Sequence, residues 1–445
     1  MTAAGDNASD ERGTRRSVVA LLASVFTASM ASMAGATVLG KQVYDLTGRE
    51  IDLGLLGLAE FAPAAVLVLV TGAVADRFDR RKIAAIAATF EAAFALGLAW
   101  YATTEPTSVG PIFLLVLGFG TARAFVAPST RALPSDIVPP DRLPWLMPRQ
   151  SAVWQFALIV GPVTGGLLYT VDPAVPYVFM AGLLLVAAGA LLVVRVRPGT
   201  ADTPAVAPPD PVLEAGIDAG GGPTEAGLTG RAALSEAMDG LRFIRRQPIL
   251  LGAISLDLFA VLFGGAVALL PAIAEERLGV GAVGLGWLRA AAGVGAGLVT
   301  IVLALRPVRR RVGRTLLIAV AVFGFGTIAL GATRSYAVAF VALAVLSGAD
   351  AISVFVRSTL VPLVTPQAMR GRVLAVENVF IGASNELGAF ESGVAGAFLG
   401  PAGAVVLGGA ATLVVAGSWS ILFPALRDVD GFPGSVNEPR DQRAT

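Results

Sequence analysis

The sequence predicts an all-α membrane protein of twelve transmembrane helices in two pseudo-symmetric six-helix bundles. Composition is the first observation behind that expectation. Of 445 residues, 55% are hydrophobic and only 15% charged, where a soluble chain carries about 25% charge, and the mean hydropathy is +0.74. Lipid is the solvent that accommodates so much apolar surface. The second observation is that the long apolar runs fall into two groups of six. The third is the distribution of cations. Of 33 Lys and Arg, 25 lie in segments on one side of the spans. Lys41, Arg49, Arg277 and Arg334 lie on the other side, and Arg123, Arg131, Arg289 and Arg357 lie within spans. That bias places both termini in the cytoplasm.

The elements follow in order. Residues 1–16 are polar and read as a cytoplasmic tail rather than a cleavable signal, because the run after them is long enough to span. The first bundle, 17–195, has spans near 17–40, 51–74, 83–102, 111–133, 150–171 and 175–195. Each covers roughly 30 Å of hydrocarbon at about 1.5 Å per residue. Segment 196–248 is a cytoplasmic linker. Its first part, 198–230, is rich in Pro, Gly, Asp and Thr without periodicity. In 231–246, Leu234, Met238, Leu241 and Ile244 recur at helical spacing beside Arg242, Arg245 and Arg246. That pattern is an amphipathic helix on the membrane surface or a connector packed on the bundle. The second bundle, 249–424, has spans near 249–272, 283–305, 315–333, 336–361, 373–397 and 402–424, and 425–445 is a second cytoplasmic tail.

The chain has no Cys and no His. Disulfides, iron–sulfur clusters and thiol catalysis are excluded, as are Ser/His catalysis and a histidine pH switch. Proton handling near neutral pH therefore falls to buried carboxylates. No G-x-x-x-x-G-K-[ST] loop is present, so an ion gradient is expected to supply energy in place of ATP. No metal site, cofactor, nucleic-acid interface or enzymatic nucleophile–base set is expected.

The halves repeat. A shift of 229 residues carries Arg80-Arg81-Lys82 onto Arg309-Arg310-Arg311, Gly57 onto Gly286 and Glu60 onto Arg289. Two parallel six-span halves are the architecture of rocking transporters.

The loop after span 2, Gly72-Ala-Val-Ala-Asp76-Arg77-Phe-Asp79-Arg80-Arg81-Lys82, is similar to the G-x-L-A-D-R-x-G-R-K signature of the major facilitator superfamily, with Asp79 in place of Gly. Span 5 carries Gly161-Pro162-Val-Thr-Gly165-Gly166, which resembles the G-P-x-x-G-G motif of that superfamily's exporters. Gln42–Gly48, Ala122–Phe125, Arg370–Val376 and Gly382–Gly388 look like its bacterial enterobactin-exporter branch, which also holds drug and macrolide pumps. The resemblance implies an exporter of the bacterial inner membrane, monomeric, acting on amphipathic small molecules in exchange for protons. A dedicated catecholate-siderophore exporter is the narrower alternative, and a non-transporting receptor or scaffold the distant one.

Site residues follow from motif and depth. Gly72, Asp76, Arg77, Arg80, Arg81 and Asp136 form a conformational latch in that resemblance, with Asp76 capping the positive end of span 11 and Arg80 or Arg81 pairing with Asp136. Gly161, Pro162, Gly165 and Gly166 form a hinge or a tight seal against span 8. An ion inside a span costs about 2.5–3.5 kcal/mol, so it faces protein or water. Asp257, Asp350 and Glu386 are the candidate proton carriers; static pairing of Asp257 or Asp350 with Arg123 or Arg357 is the competing account. Glu60 and Arg289 are read as a structural pair, and Glu377 and Glu391 as gate or packing groups. Arg123 and Asn385, with Phe26, Met30, Phe125, Phe259, Phe263 and Phe355, are candidate walls of an apolar cavity.

Overall fold

In the computed structural model, residues 3–131, 133–196 and 230–433 are described; side chains are described from residue 13 onward, apart from 68, 69, 73, 75, 76 and 230–236. The linker 197–229 and the tail from 434 lie outside them. The first half runs α1 (Ala3–Thr47), α2 (Glu50–Arg77), α3 (Arg80–Ala102), α4 (Gly110–Arg131), the short α5 (Leu133–Ile137), α6 (Leu143–Tyr169) and α7 (Val175–Val193). The second half runs α8 (Gly230–Arg246), α9 (Pro248–Phe263), the short α10 (Leu270–Ala272), α11 (Ala282–Leu305), α12 (Val312–Ala332), α13 (Tyr336–Val364), α14 (Gln367–Leu422) and α15 (Pro424–Arg427).

Ten of these helical stretches are long and apolar enough to cross a membrane. One of the ten, α14, is two spans, because Gly400 at φ 70° interrupts it ahead of Pro401. The chain reverses there. Gly388 lies against Leu262 and Gly396 against Leu269, whereas after the turn Gly408 lies against Phe263 and Thr412 against Ala260. With the 28-residue α2, the described helices match the expected two sets of six.

One expectation needs correction. Span 7 is not a continuous helix over 249–272. α9 ends at Phe263, Gly264 and Gly265 follow, and the chain resumes as a 3-10 turn (Ala266–Leu269), α10 and a π-helical turn (Ile273–Arg277). A side chain on Gly265 would meet the Gly388 carbonyl at 2.5 Å, so two backbones touch at the break. Broken helices are tolerated at membrane depth where protein surrounds them.

The core is distributed unevenly. Let the terminal face be the one bearing the start of α1 and the end of α14, and the distal face its opposite. On the distal side a single apolar cluster joins both halves, from Val38, Val43, Leu53 and Leu56 to Leu269, Ile273, Leu285 and Leu343. On the terminal side the clusters separate. Leu21, Leu133, Leu146 and Leu191 belong to the first half, and Leu256, Leu316, Val356 and Leu360 to the second. The two bundles are therefore joined by one apolar cluster at one face and keep separate clusters at the other. Val66, Trp100, Leu114 and Ile421 point outward from the bundle, as lipid-facing side chains do.

α8 packs on the second half. Its Ile244 is buried with Leu250, Ile254, Val361, Val373 and Val376, so this face is that of a packed connector. Met238 remains exposed, Arg242 pairs with Asp239 at 2.9 Å, and Leu234 lies outside the described side chains.

Candidate functional site

Charged side chains converge at three depths. The most buried set sits in the second half, on the terminal side of the helix break. Asp257 comes from the middle of α9, Asp350 and Arg357 from two turns of α13, and Glu377 from the first arm of α14. Arg357 Nη2 lies 2.8 Å from Asp257 Oδ1, and Nη1 lies 3.7 Å from Glu377 Oε1. All three side chains are 6–7% exposed, so water screens this triad little. Arg357 Nε has no hydrogen-bond partner. Asp350 lies beside the triad without a hydrogen bond or an ion pair among the described residues. It lines a small cleft together with Asp257, Ala260, Val320, Phe323 and Ser353. Of the alternatives read from sequence, the static partner of Asp257 is Arg357, and Arg123 lies elsewhere. Glu377 completes the triad; its depth on a span facing Arg357 was the only available signal for it.

The second set spans both halves. Arg123 Nη1 on α4 lies 2.9 Å from Glu60 Oε1 on α2. The pair expected between Glu60 and Arg289 does not form, because Arg123 takes the Glu60 carboxylate. Arg289 on α11 approaches Gly40 on α1, and its buried Nε has no hydrogen-bond partner. Glu386 reaches from α14 onto Gly57 of α2, where a Cβ would stand 2.9 Å from its Oε2. Neighbouring Asn385 is exposed and bonds back to the Ile381 carbonyl at 3.0 Å.

The third set closes the distal face, and sequence reading missed it. Lys41 Nζ on α1 lies 2.9 Å from Glu275 Oε2 in the π-helical turn and also pairs with Asp45. Tyr44 donates to Glu276, and Tyr169 on α6 donates to Asp45 at 2.9 Å. The i,i+4 spacing of Lys41 and Asp45 is a visible helical pair. Its extension to Glu275 depends on the break in span 7, which hydropathy does not report.

The Gly-Pro motif packs on two neighbours. Side chains at Gly161 and Gly165 would strike α1 at Met33 and Ala34. A Cβ on Gly166 would stand 2.3 Å from the Ala282 carbonyl, and one on Gly286 2.5 Å from the Pro162 carbonyl. Only glycine allows the α6 and α11 backbones this approach. Gln155 Nε2 crosses the same seam to the Gly293 carbonyl at 2.5 Å.

The latch loop is a tight helix-to-helix turn. Asp79 caps α3, accepting from the Arg81 backbone N–H at 3.1 Å and from its guanidinium at 2.7 Å. Its φ of −61° needs no glycine, which explains how Asp occupies the signature's Gly position. The Arg81 side chain holds the Asp79 carboxyl below its ordinary value. Arg80 lies 3.3 Å from Asp136, whose carboxyl burial pushes up. Gly72 and Arg77 lie in the last turns of α2. Asp76 is helical in backbone, and its side chain is outside the described residues.

The aromatic candidates disperse. Phe26 stacks on Phe156 of α6 at 5.9 Å. Phe259 and Phe263 stack on each other, Phe259 also meets Trp419, and Phe355 meets Phe432 edge-on. These last three pack against the second half's own core. Met30 is buried and Phe125 half-buried. No group of three or more His, Cys, Asp or Glu side chains placed to hold a metal ion occurs among the described residues.

Comparison with known proteins agrees with this architecture. A bacterial homologue of the human lysosomal transporter Spinster, in an inward-facing and unoccupied conformation, is 15% identical, with a TM-score of 0.65 over 93% of this chain and 96% of that one. The human organic anion transporter MFSD10 is 16% identical, with a TM-score of 0.60 over 91% and 99%. A peptide transporter, POT, is 12% identical, with a TM-score of 0.69 over 92% and 94%. At these identities the likeness is one of fold. No curated protein matches the chain. The family model described as Major Facilitator Superfamily matches residues 18–389. That range takes in the latch loop, the Gly-Pro seam and both halves as far as Glu386, and the chain is accordingly a multi-pass membrane transporter of the Major Facilitator Superfamily.

Proposed function

We propose that this transporter is a secondary active exporter of amphipathic small molecules, which it exchanges for protons by alternating access. The observation that carries the reading is the uneven core: one apolar cluster across both halves at the distal face, separate clusters at the terminal face. In this reading the terminal face is cytoplasmic, which the positive-inside bias supports, and the side with separate clusters is where cargo enters. A chain with 55% hydrophobic and 15% charged residues suits an amphipathic ligand.

Asp350 and Glu386 are the coupling carboxylates in this reading. Each lies at membrane depth with no hydrogen bond or ion pair among the described residues, whereas Asp257 is held by Arg357. An unpaired carboxylate in a low-dielectric site is the group whose charge a proton most readily cancels. When the terminal face closes, Asp76 approaches the start of α14, while Arg80–Asp136 keeps the loop in place. The seam at Gly161–Gly166 is the surface on which the halves rock. A dedicated catecholate exporter is less well supported, because Arg123, its anion anchor, is engaged by Glu60.

The test is efflux from proteoliposomes of a fluorescent amphipathic dye and of a catecholate siderophore, with and without an imposed proton gradient. Gradient-driven dye export that is lost in Asp350→Asn or Glu386→Gln supports the reading. Equal rates with and without the gradient overturn it.

A further inference from the structure

The cleft between α9, α12 and α13 contains a feature that proton exchange leaves unexplained. Ser353 is 3% exposed, and its Oγ, on the wall of the cleft, has no hydrogen-bond partner. A buried hydroxyl left unsatisfied is costly, and native structures rarely retain one without a ligand or a water. One turn earlier on the same helix, Asp350 lines the same cleft, and Asp257 faces it from α9. The charges lining the cleft are unevenly met. Arg357 ion-pairs with Asp257, whereas Asp350 has no ion pair among the described residues.

We propose that this cleft is a sodium-ion site, with Asp350, Ser353 Oγ and the Asp257 carboxylate as its oxygen ligands. The inference rests on the reading of Asp350 as a coupling carboxylate and names a second ion for it. Three arguments favour sodium. The donors are all hard oxygens, the class that binds alkali and alkaline-earth cations, and a cation of sodium's size takes them at about 2.3–2.6 Å. The cleft has ≈ 10 Å³ of internal room, enough for about one water-sized body and so for a bare ion rather than a hydrated divalent one. Of the two carboxylates lining the cleft, Asp257 is met by Arg357 and Asp350 has no ion pair among the described residues, and that single charge matches a monovalent ion. A proton on Asp350 would neutralise the charge but provide no cation for the Ser353 oxygen. A sodium ion meets both needs. Sodium and protons then compete for Asp350, and either one closes the same charge deficit.

The experiment is thermal unfolding of the full chain in lipid nanodiscs at pH 8.5, with sodium chloride exchanged for choline chloride at constant ionic strength. Sodium is expected to raise the midpoint by about 3 °C or more. The rise should vanish in Asp350→Asn and need at least about fivefold more sodium in Ser353→Ala. It should also shrink as pH falls toward 6, where protons compete. A midpoint insensitive to sodium, or a rise that survives unchanged in Asp350→Asn, overturns the site. Radioactive sodium binding to the same samples keeps the test decisive if Asp350→Asn folds poorly, since Ser353→Ala removes one oxygen and no charge. Proton-driven dye export in sodium-free choline medium separates the two readings. Export with no sodium effect discards the site and keeps the exporter, and sodium binding without export does the reverse.

Discussion

Lys41 and Glu275 meet at 2.9 Å across the distal face, the first on the opening helix of one half and the second on the π-helical turn beyond the break in span 7 of the other. Glu275 is half-exposed, at 48%, and Lys41 only 12% exposed. The pair therefore sits at the rim of the apolar plug rather than inside it, in position to tie the two halves together when the plug is closed.

Removing that tie should favour distal opening. An exposed ion pair is worth about 0.2–1 kcal/mol, so Glu275→Gln should shift the closed-to-open ratio by up to about fivefold. Spin labels at Arg49→Cys and Arg334→Cys would report it as a longer distance population. The chain has no Cys of its own, so no background label needs removing. An unchanged distance distribution would show that the apolar plug alone sets the equilibrium.

The buried triad should behave differently. Asp257→Asn leaves Arg357 with only Glu377 at 3.7 Å. Breaking a buried pair costs about 3–5 kcal/mol, which should appear as a marked fall in the unfolding midpoint in nanodiscs. Asp257→Asn combined with Arg357→Gln should lose clearly less than the sum of the two single changes. Strict additivity would mean the pair contributes nothing.

The α6–α11 seam gives a matched comparison. Gly166→Val forces a side chain onto the Ala282 carbonyl, where backbone cannot yield, and should cut transport at least about tenfold. Gly189→Ala on α7 meets nothing within 4 Å and should leave transport and stability unchanged. Equal activities in the two variants would mean the halves do not need this close approach.

Asp79→Ala should cost about 1 kcal/mol by removing the α3 cap, read as a lower unfolding midpoint at pH 7. The sign of its pH dependence follows from the depressed carboxyl of Asp79. Its contribution is complete above the unfolded carboxylate value of about 3.9. It is lost as pH falls through the lower folded value. The gap between parent and Asp79→Ala should therefore stay constant from pH 7 to pH 5 and close only at strongly acid pH.

Hydropathy and charge bias made the two sets of six legible, because lipid dictates helix length and composition directly. The Arg80–Asp136 contact was legible for a related reason: both residues sit at helix ends on the same face. Partner choice in the interior was not. Glu60 and Arg289 match by internal repeat, yet pseudo-symmetry relates positions without bringing them together, and Arg123 on the adjacent α4 is nearer. The break at Gly264-Gly265 lies inside an uninterrupted apolar run, so only the glycine pair itself could have signalled it. Phe259, Phe263 and Phe355 have the depth of cavity residues, but which side of a helix faces the cavity depends on packing that periodicity in an all-apolar span does not encode.

The uneven core also has an electrical consequence. A membrane potential falls mainly across whatever insulates best, and in this conformation that is the distal cluster around Val43, Leu53, Leu269 and Ile273. Moving one elementary charge through such a field is worth about 2.3 kcal/mol per 100 mV. Lys41, Glu275 and Glu276 border this cluster, so a voltage across the membrane would act on the residues that pair beside it. An energised membrane would then bias the distal rim directly, before any cargo has bound.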